Sequence, residues 1–179
     1  MNWLRELFGR GEKPEPQAST PVQERDPEVQ FHLGLMCSNR QGEAQDNVQA
    51  AQWYLKAARL NHPLAQFNLG LMYANGQGVD KDERAAMMWI RNAAEQGDAG
   101  AQFNLGTRCH RSSVSGSEMD ESQSKIESYK WLQLANAQGY EQAGVSCERV
   151  TLAMSFEEVA EGNRRVAAFV PAKTASKLP

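Results

Sequence analysis

The chain has 179 residues and a formal net charge of −3, a length that suits one domain of ordinary size with a continuous core. The small negative charge disfavours nucleic acid as the main partner, because phosphate binding requires a concentrated positive surface. No run approaches the roughly 20 apolar residues that cross a bilayer, and charged residues interrupt the first ten positions. We therefore expect no transmembrane span, no secretory signal and a cytoplasmic location.

Residues 1–26 are predicted to form a short amphipathic tip and a disordered linker. The linker places prolines among charged and small polar residues, a composition that does not form a core. Four apolar residues of the tip share one face if the tip is helical: Trp3, Leu4, Leu7 and Phe8. The tip either tethers the protein to a membrane surface or a partner, or is a frayed terminus or a helix folded onto its own solenoid.

From residue 27 onward the chain repeats itself. The pentapeptide QFHLG at residues 30–34 returns as QFNLG at residues 66–70 and again at residues 102–106, a displacement of 36 residues each time. A unit of this length cannot bury its own apolar face, so successive units must stack into a solenoid. Solenoids usually bind other macromolecules, so the repeat favours binding over catalysis.

Each unit is predicted to be a helical hairpin. In residues 63–98 the first helix has an apolar stripe, the loop NGQG at residues 75–78 breaks it, and a second stripe follows around Trp89. Expected caps of later helices are Asp46, Asp82 and two capping boxes, Ser124 with Glu127 and Ser155 with Glu158.

Glycine recurs inside the first helices, at Gly34, Gly70 and Gly106. Each costs about 1 kcal/mol relative to alanine, so close contact with the second helix is the expected compensation. The tryptophan of each second helix is predicted to fill the space between hairpins.

The third unit is longer, because 42 residues rather than 36 separate Trp89 from Trp131. The six extra residues are predicted to lie in a loop at residues 112–117. Residues 141–170 are expected to cap the stack, with Val159, Val166 and Phe169 on the inward side of the last helix, and residues 171–179 to form a tail.

The three cysteines, Cys37, Cys109 and Cys147, are expected to be free thiols at apolar helical positions. They have no oriented base and no set of zinc ligands beside them. The sequence therefore predicts neither an enzyme nor a metal site, and no cofactor.

Residues 65–98 resemble the Sel-one-like repeat (SLR) family, a relative of the tetratricopeptide repeats. The resemblance combines the L-G-x-x-Y turn, the G-x-G-V loop, the capping aspartate and the W-x-x-x-A-A-x-x-G end in order. It covers residues 27–62, 63–98 and 99–140, with a segment at residues 154–158 similar to the closing helix of bacterial members. It implies an all-α, right-handed α-solenoid of about three SLR units plus C-terminal capping helices.

Two units depart from the family pattern. Cys37 and Cys109 replace the tyrosine, and the first unit lacks the G-x-G-V loop. The chain also lacks the cysteine pairs within each repeat that secreted members often carry, which suggests an intracellular form.

In related tetratricopeptide arrays the first helix of each hairpin lines the concave groove. The resemblance therefore implies these partner-binding residues: Phe31, His32, Leu35, Phe67, Asn68, Leu71, Phe103, Asn104 and Thr107. The phenylalanines could instead pack neighbouring first helices together. His110 and Arg111 either meet an acidic peptide terminus or cap helix carbonyls.

Family membership implies a non-catalytic protein-protein interaction module, an adaptor or regulator that binds a protein or peptide on the concave face. Two alternatives stay open. One is a membrane-peripheral scaffold tethered by residues 1–10, and the other is an inhibitor or immunity protein.

Overall fold

The computed structural model describes residues 26–38, 46–115 and 120–172, and for residues 112–115 it describes the backbone alone. The predicted tip, most of the predicted linker and residues 173–179 lie outside these ranges. The described residues contain helices and no strand. The helices are α1 (Pro27–Ser38), α2 (Asn47–Arg59), α3 (Pro63–Asn75), α4 (Glu83–Glu95), α5 (Ala99–Ser115), α6 (Glu121–Ala137), α7 (Glu141–Thr151) and α8 (Phe156–Ala167).

The first six helices form three hairpins that stack in sequence order. α1 pairs with α2, α3 with α4 and α5 with α6, while α2 packs on α3, α4 on α5 and α6 on α7. Alanines such as Ala57 and Ala93 are completely buried where the helices meet, which lets neighbouring helices approach closely. The prediction of an all-α solenoid of helical hairpins is confirmed.

Three of the predicted helix starts are correct. The Asp46 carboxylate accepts a hydrogen bond from the backbone N–H of Gln49 at 2.8 Å, and Asp82 caps α4 in the same way. The Ser155 hydroxyl and the Glu158 carboxylate form the predicted capping box of α8.

The third hairpin corrects two predictions. α5 and α6 each have 17 residues, whereas α3 and α4 each have 13, so the extra residues lengthen both helices instead of the loop. Residues 112–115 are helical, and residues 116–117 lie outside the described ranges. Because α6 begins earlier than predicted, Asp120 is its cap and Ser124 is buried inside the helix, so the predicted capping box of Ser124 and Glu127 is wrong.

The recurring glycines sit where first and second helices touch. A Cβ atom on Gly70 would lie 2.6 Å from Cγ1 of Ile90 and 3.1 Å from the carbonyl oxygen of Ala86. Gly34 meets the Tyr54 ring and Gly106 meets Leu132 in the same manner. The predicted close contact is therefore confirmed. In it, the glycine backbone of the first helix packs against side-chain and backbone atoms of the second helix.

The residue opposite each glycine is not the tryptophan but the residue that follows it. Of the three tryptophans in the second helices, Trp131 is buried and packs edge-on against Phe169 at 5.6 Å between ring centroids. Trp89 is partly buried against a first core cluster, which joins the first hairpin to α3 and includes Ala50, Tyr54 and Leu69. Trp53 lies under the ammonium group of Lys56, 3.7 Å from its ring centroid. Trp131 and Trp89 thus pack between hairpins as predicted, whereas the contact of Trp53 is with a residue of its own helix.

Buried glutamines tie successive hairpins together. Gln66 Nε2 donates to the carbonyl oxygen of Ala58 at 3.1 Å, and Gln66 Oε1 accepts from Gln96 Nε2 at 2.7 Å. One repeat later, Gln102 bonds to the carbonyl of Ala94 at 3.1 Å and accepts from Gln138 at 2.8 Å. Each buried amide thus joins the second helix of the preceding hairpin to that of its own.

The stack ends differently from the way it began. α7 has Glu148 at the position where the other first helices have glycine, and α8 packs mainly on α6. Another glycine contact holds α8 on α6, because Gly162 lies against the ring of Tyr129. The Tyr129 hydroxyl donates to Asn163 Oδ1 at 2.9 Å, and Arg165 pairs with Glu127 at 2.7 Å.

The predicted inward side of the last helix is partly correct. Val159 and Phe169 pack against core clusters, and Val166 is half-buried. Beyond the helix, Pro171 reaches Gly97 at the turn between α4 and α5. The C-terminal segment therefore covers α6 and continues towards the second hairpin.

We expect Gly70→Ala to destabilise the protein, although alanine is the better helix former. The overpacked Cβ costs about 1–3 kcal/mol against a propensity gain of about 1 kcal/mol, so the unfolding free energy should fall. The matched control is Gly144→Ala in α7, where a new Cβ meets only the movable side chain of Asn136. Circular dichroism melts check this, and a Gly70→Ala variant as stable as Gly144→Ala would contradict it.

We expect Gln102→Met to lower the unfolding free energy by about 1–2 kcal/mol, the usual cost of lost buried hydrogen bonds. Methionine matches the glutamine in size but neither donates to Ala94 nor accepts from Gln138. Gln52→Met on the exposed face of α2 is the control and should stay within about 0.5 kcal/mol. Urea unfolding of both variants measures the difference, and equal stabilities would show that the glutamine bonds do not hold the hairpins.

Candidate functional site

Two grooves open between successive first helices. We call the space between α1 and α3 the amide groove; its volume is about 300 Å³ and it is lined by Leu35, Ser38, Asn47, Tyr54, Asn68, Met72 and Gln77. We call the space between α5 and α7 the arginine groove; its volume is about 340 Å³ and it is lined by Thr107, His110, Arg111, Leu132, Ser146, Arg149 and Val150.

The two grooves occupy equivalent positions in different repeats. Counted through the repeats, Leu35 corresponds to Thr107, Ser38 to His110, Tyr54 to Leu132, Asn68 to Ser146 and Met72 to Val150. One architectural site therefore occurs twice along one face of the stack, with different side chains in it.

An ion pair occupies the corresponding place between α3 and α5. Arg108 stands at the repeat position of Met72, and Glu83 at that of Asn47. The Arg108 guanidinium pairs with the Glu83 carboxylate, and its Nε donates to Asn104 Oδ1 at 2.8 Å. This charged bridge separates the amide groove from the arginine groove.

The G-x-G loop brings Gln77 to the amide groove. Gly76 ends α3 with φ of 69°, and Gly78, with φ of 70°, lies directly against the backbone carbonyl of Asn47. Residues with a Cβ rarely adopt this conformation, and there is no space for one at Gly78. The loop consequently seats Gln77 next to the start of α2.

The predicted row of phenylalanines towards the groove is wrong. Phe31 is buried and stacks on His62 at 4.6 Å, and Phe103 stacks on Tyr140 at 4.8 Å. Phe67 lies against Gly100 and is partly buried against a second core cluster, which joins α4, α5 and α6 and includes Ile90, Leu105 and Trp131. Each ring packs on the start of the next first helix, which is the alternative that the sequence left open.

The other predicted residues separate into three groups. Leu35 and Asn68 line the amide groove, and Thr107, His110 and Arg111 line the arginine groove. His32 is exposed with its Nε2 atom 3.3 Å from Glu28 Oε1, Leu71 packs on the second core cluster, and Asn104 is engaged by Arg108.

Several groove residues escaped the sequence reasoning. Ser146, Arg149 and Val150 lie in α7, where the repeat pattern weakens, although counting from Asn68 and Met72 would have found two of them. Tyr54 and Leu132 belong to the second helices, whereas the resemblance to tetratricopeptide arrays implies groove residues in the first helices alone. Their common signal is the position immediately after the tryptophan.

Two of the three cysteines, Cys109 and Cys147, are poorly suited to nucleophilic chemistry. Cys37, Cys109 and Cys147 are all free thiols. Burial raises the pKa of Cys109 to about 11 and also raises the pKa of Cys147, so both thiols stay protonated at neutral pH. Within the described part of the chain, no three side chains are grouped to hold a metal ion, and no helix is long and apolar enough to span a bilayer.

Comparisons with known proteins agree with this architecture. The solved structures that are similar to the chain include the following two. One is a protective antigen present in uropathogenic Escherichia coli strains that displays an SLR fold, with 26% identity, a TM-score of 0.69 and 88% of this chain covered. The other is a Sel1 repeat protein from Oxalobacter formigenes, with 33% identity, a TM-score of 0.61 and 72% of this chain covered.

The alignments span 34% of the first protein and 50% of the second, so the chain matches only part of each. No curated protein matches the chain significantly. The Sel1 repeat model matches residues 27–62, 63–98 and 99–140, the same three hairpins that stack in the structure. The chain therefore belongs to the Sel1 repeat family.

Proposed function

We propose that this protein is a non-catalytic adaptor or regulator that binds an extended segment of a partner protein along its first-helix face. Sel1 repeat proteins are generally protein-interaction modules. The observation that carries the proposal is the pair of equivalent grooves on one face, each with an apolar floor and polar side chains at its rim.

The amide groove has the chemistry to hold a peptide backbone. Asn47 and Asn68 line it, and neither side-chain amide bonds to another described residue, whereas the equivalent Asn104 is held by Arg108. A carboxamide offers both a donor and an acceptor, as a peptide backbone does. Leu35 and Met72 supply apolar surface beside the amides.

The spacing of the grooves suits a short extended segment. Two stacked hairpins separate them, which is about 20 Å at the usual distance between packed helices. An extended chain covers this span with about six residues. A partner segment of that length reaches both grooves while passing over the Arg108 and Glu83 pair.

Residues 1–10 lie outside the described residues, so their function as a tether stays a prediction. The inhibitor alternative also stays a prediction. We propose a cytoplasmic location on the sequence grounds alone. The groove proposal depends on neither, because its residues all belong to the described hairpins.

The test is affinity purification from the source cells followed by quantitative mass spectrometry. We expect Asn68→Arg to lose at least one partner by tenfold or more, because a bulky cation fills the amide groove; tenfold corresponds to about 1.4 kcal/mol. The control is Gln52→Arg, an exposed site on α2 that lines neither groove. Melting temperatures of both variants verify folding. Partners retained by Asn68→Arg, or lost equally from both variants, would overturn the proposal.

A further inference from the structure

The arginine groove differs in charge from the amide groove and from the Arg108 and Glu83 pair. Arg111 near the end of α5 and Arg149 in α7 both line it, and both side chains are exposed. None of its seven lining residues is acidic. A protein with a net charge of −3 thus carries a purely cationic groove on its proposed binding face.

The two arginines of the groove differ from three basic residues of the described helices that are held in ion pairs. Arg108 pairs with Glu83, Lys125 with Glu121, and Arg165 with Glu127 and Glu161. Neither Arg111 nor Arg149 forms an ion pair with a described acidic residue. Glu148, the sequence neighbour of Arg149, lines a different space together with α6 residues. Within the described residues, the two guanidinium groups are therefore not committed to an ion pair.

The floor of the groove strengthens such an interaction. Leu132 and Val150 are each 1% exposed and form an apolar base. Charge attraction increases where water is displaced by apolar surface, and guanidinium groups bind carboxylates through paired hydrogen bonds. The Ser146 hydroxyl at the same groove is a further donor for a carboxylate, whereas the Thr107 hydroxyl already donates to the carbonyl oxygen of Asn104 at 2.9 Å.

We propose that the arginine groove binds a carboxylate of the partner's peptide segment, so that the partner is an acidic segment lying in one direction along the face. This inference rests on the proposed function and specifies its partner. The amide groove holds the neutral part of the segment, and the Arg108 and Glu83 pair between the grooves adds no net charge. The asymmetry selects a segment whose acidic end reaches α5 and α7.

The carboxylate has two possible sources, the C-terminus of the partner or an aspartate or glutamate side chain. Three synthetic octapeptide probes separate them: octaglutamate with a free C-terminus, octaglutamate with a C-terminal amide, and octaglutamine with a C-terminal amide. Each is titrated to millimolar concentration into the full chain labelled with nitrogen-15, and amide chemical shifts are followed by NMR.

We expect the free octaglutamate to shift the backbone amide signals around Thr107, Ser146 and Arg149, and octaglutamine to leave them unchanged. Loss of binding on amidation assigns a terminal carboxylate, and retained binding assigns side-chain carboxylates; both support the proposal. The double variant Arg111→Gln with Arg149→Gln should bind octaglutamate at least tenfold more weakly.

The matched control is Arg84→Gln with Arg91→Gln, which removes two exposed charges of α4 that line neither groove. The proposal is overturned if the control weakens binding as much as the groove variant, if octaglutamine binds as well as octaglutamate, or if no shifts cluster around the groove. Failure of these probes while Asn68→Arg still loses its partner would refute the carboxylate site and leave the proposed function standing.

Discussion

The absence of a side chain at one position in each first helix is the constraint on which the hairpins depend. Gly34, Gly70 and Gly106 each cost helix stability, and each allows a second-helix residue to lie where a Cβ would otherwise be. The same contact shapes the binding face. Tyr54 and Leu132, which lie against Gly34 and Gly106, also line the amide groove and the arginine groove. Core packing and groove geometry are thus set by one set of contacts.

At the end of the stack, the first helix lacks the glycine that the other first helices share. α7 has Glu148 in place of glycine, and a side chain there prevents the close approach that the other hairpins use. α8 turns instead to α6, where Gly162 again meets an aromatic ring, that of Tyr129. The fold therefore reuses glycine contact to attach its last helix, and α7 stays available to form one wall of the arginine groove.

Periodicity predicted the parts of the molecule that depend on local spacing. The hairpin boundaries, the caps Asp46 and Asp82 and the glycine contacts follow from the repeat of 36 residues. The wrong predictions concern the direction in which a side chain points from its helix. Adjacent helical residues point about 100° apart, so Phe67 packs between hairpins while Asn68 faces the groove, and Trp89 lies beside the glycine contact that Ile90 makes. The repeat spacing gives the length of a unit but not the length of each helix within it. The added residues of the third hairpin are therefore predicted to lie in a loop.

Equivalent positions along the face carry different chemistry, and under the proposed function this pattern distinguishes one partner segment from another. The position of Asn68 is an engaged amide in Asn104 and a hydroxyl in Ser146; the position of Met72 is a paired cation in Arg108 and an apolar side chain in Val150. The side chains of Asn68, Asn104 and Ser146 make none of the glycine or glutamine contacts that hold the hairpins, whereas Met72 and Val150 are themselves buried core residues. Under the proposed function, a stack with constant geometry and variable groove residues distinguishes linear partners by the order of their side chains. In this chain that order runs from two asparagine amides, over a neutralised ion pair, to a pair of arginines that form no ion pair with a described acidic residue.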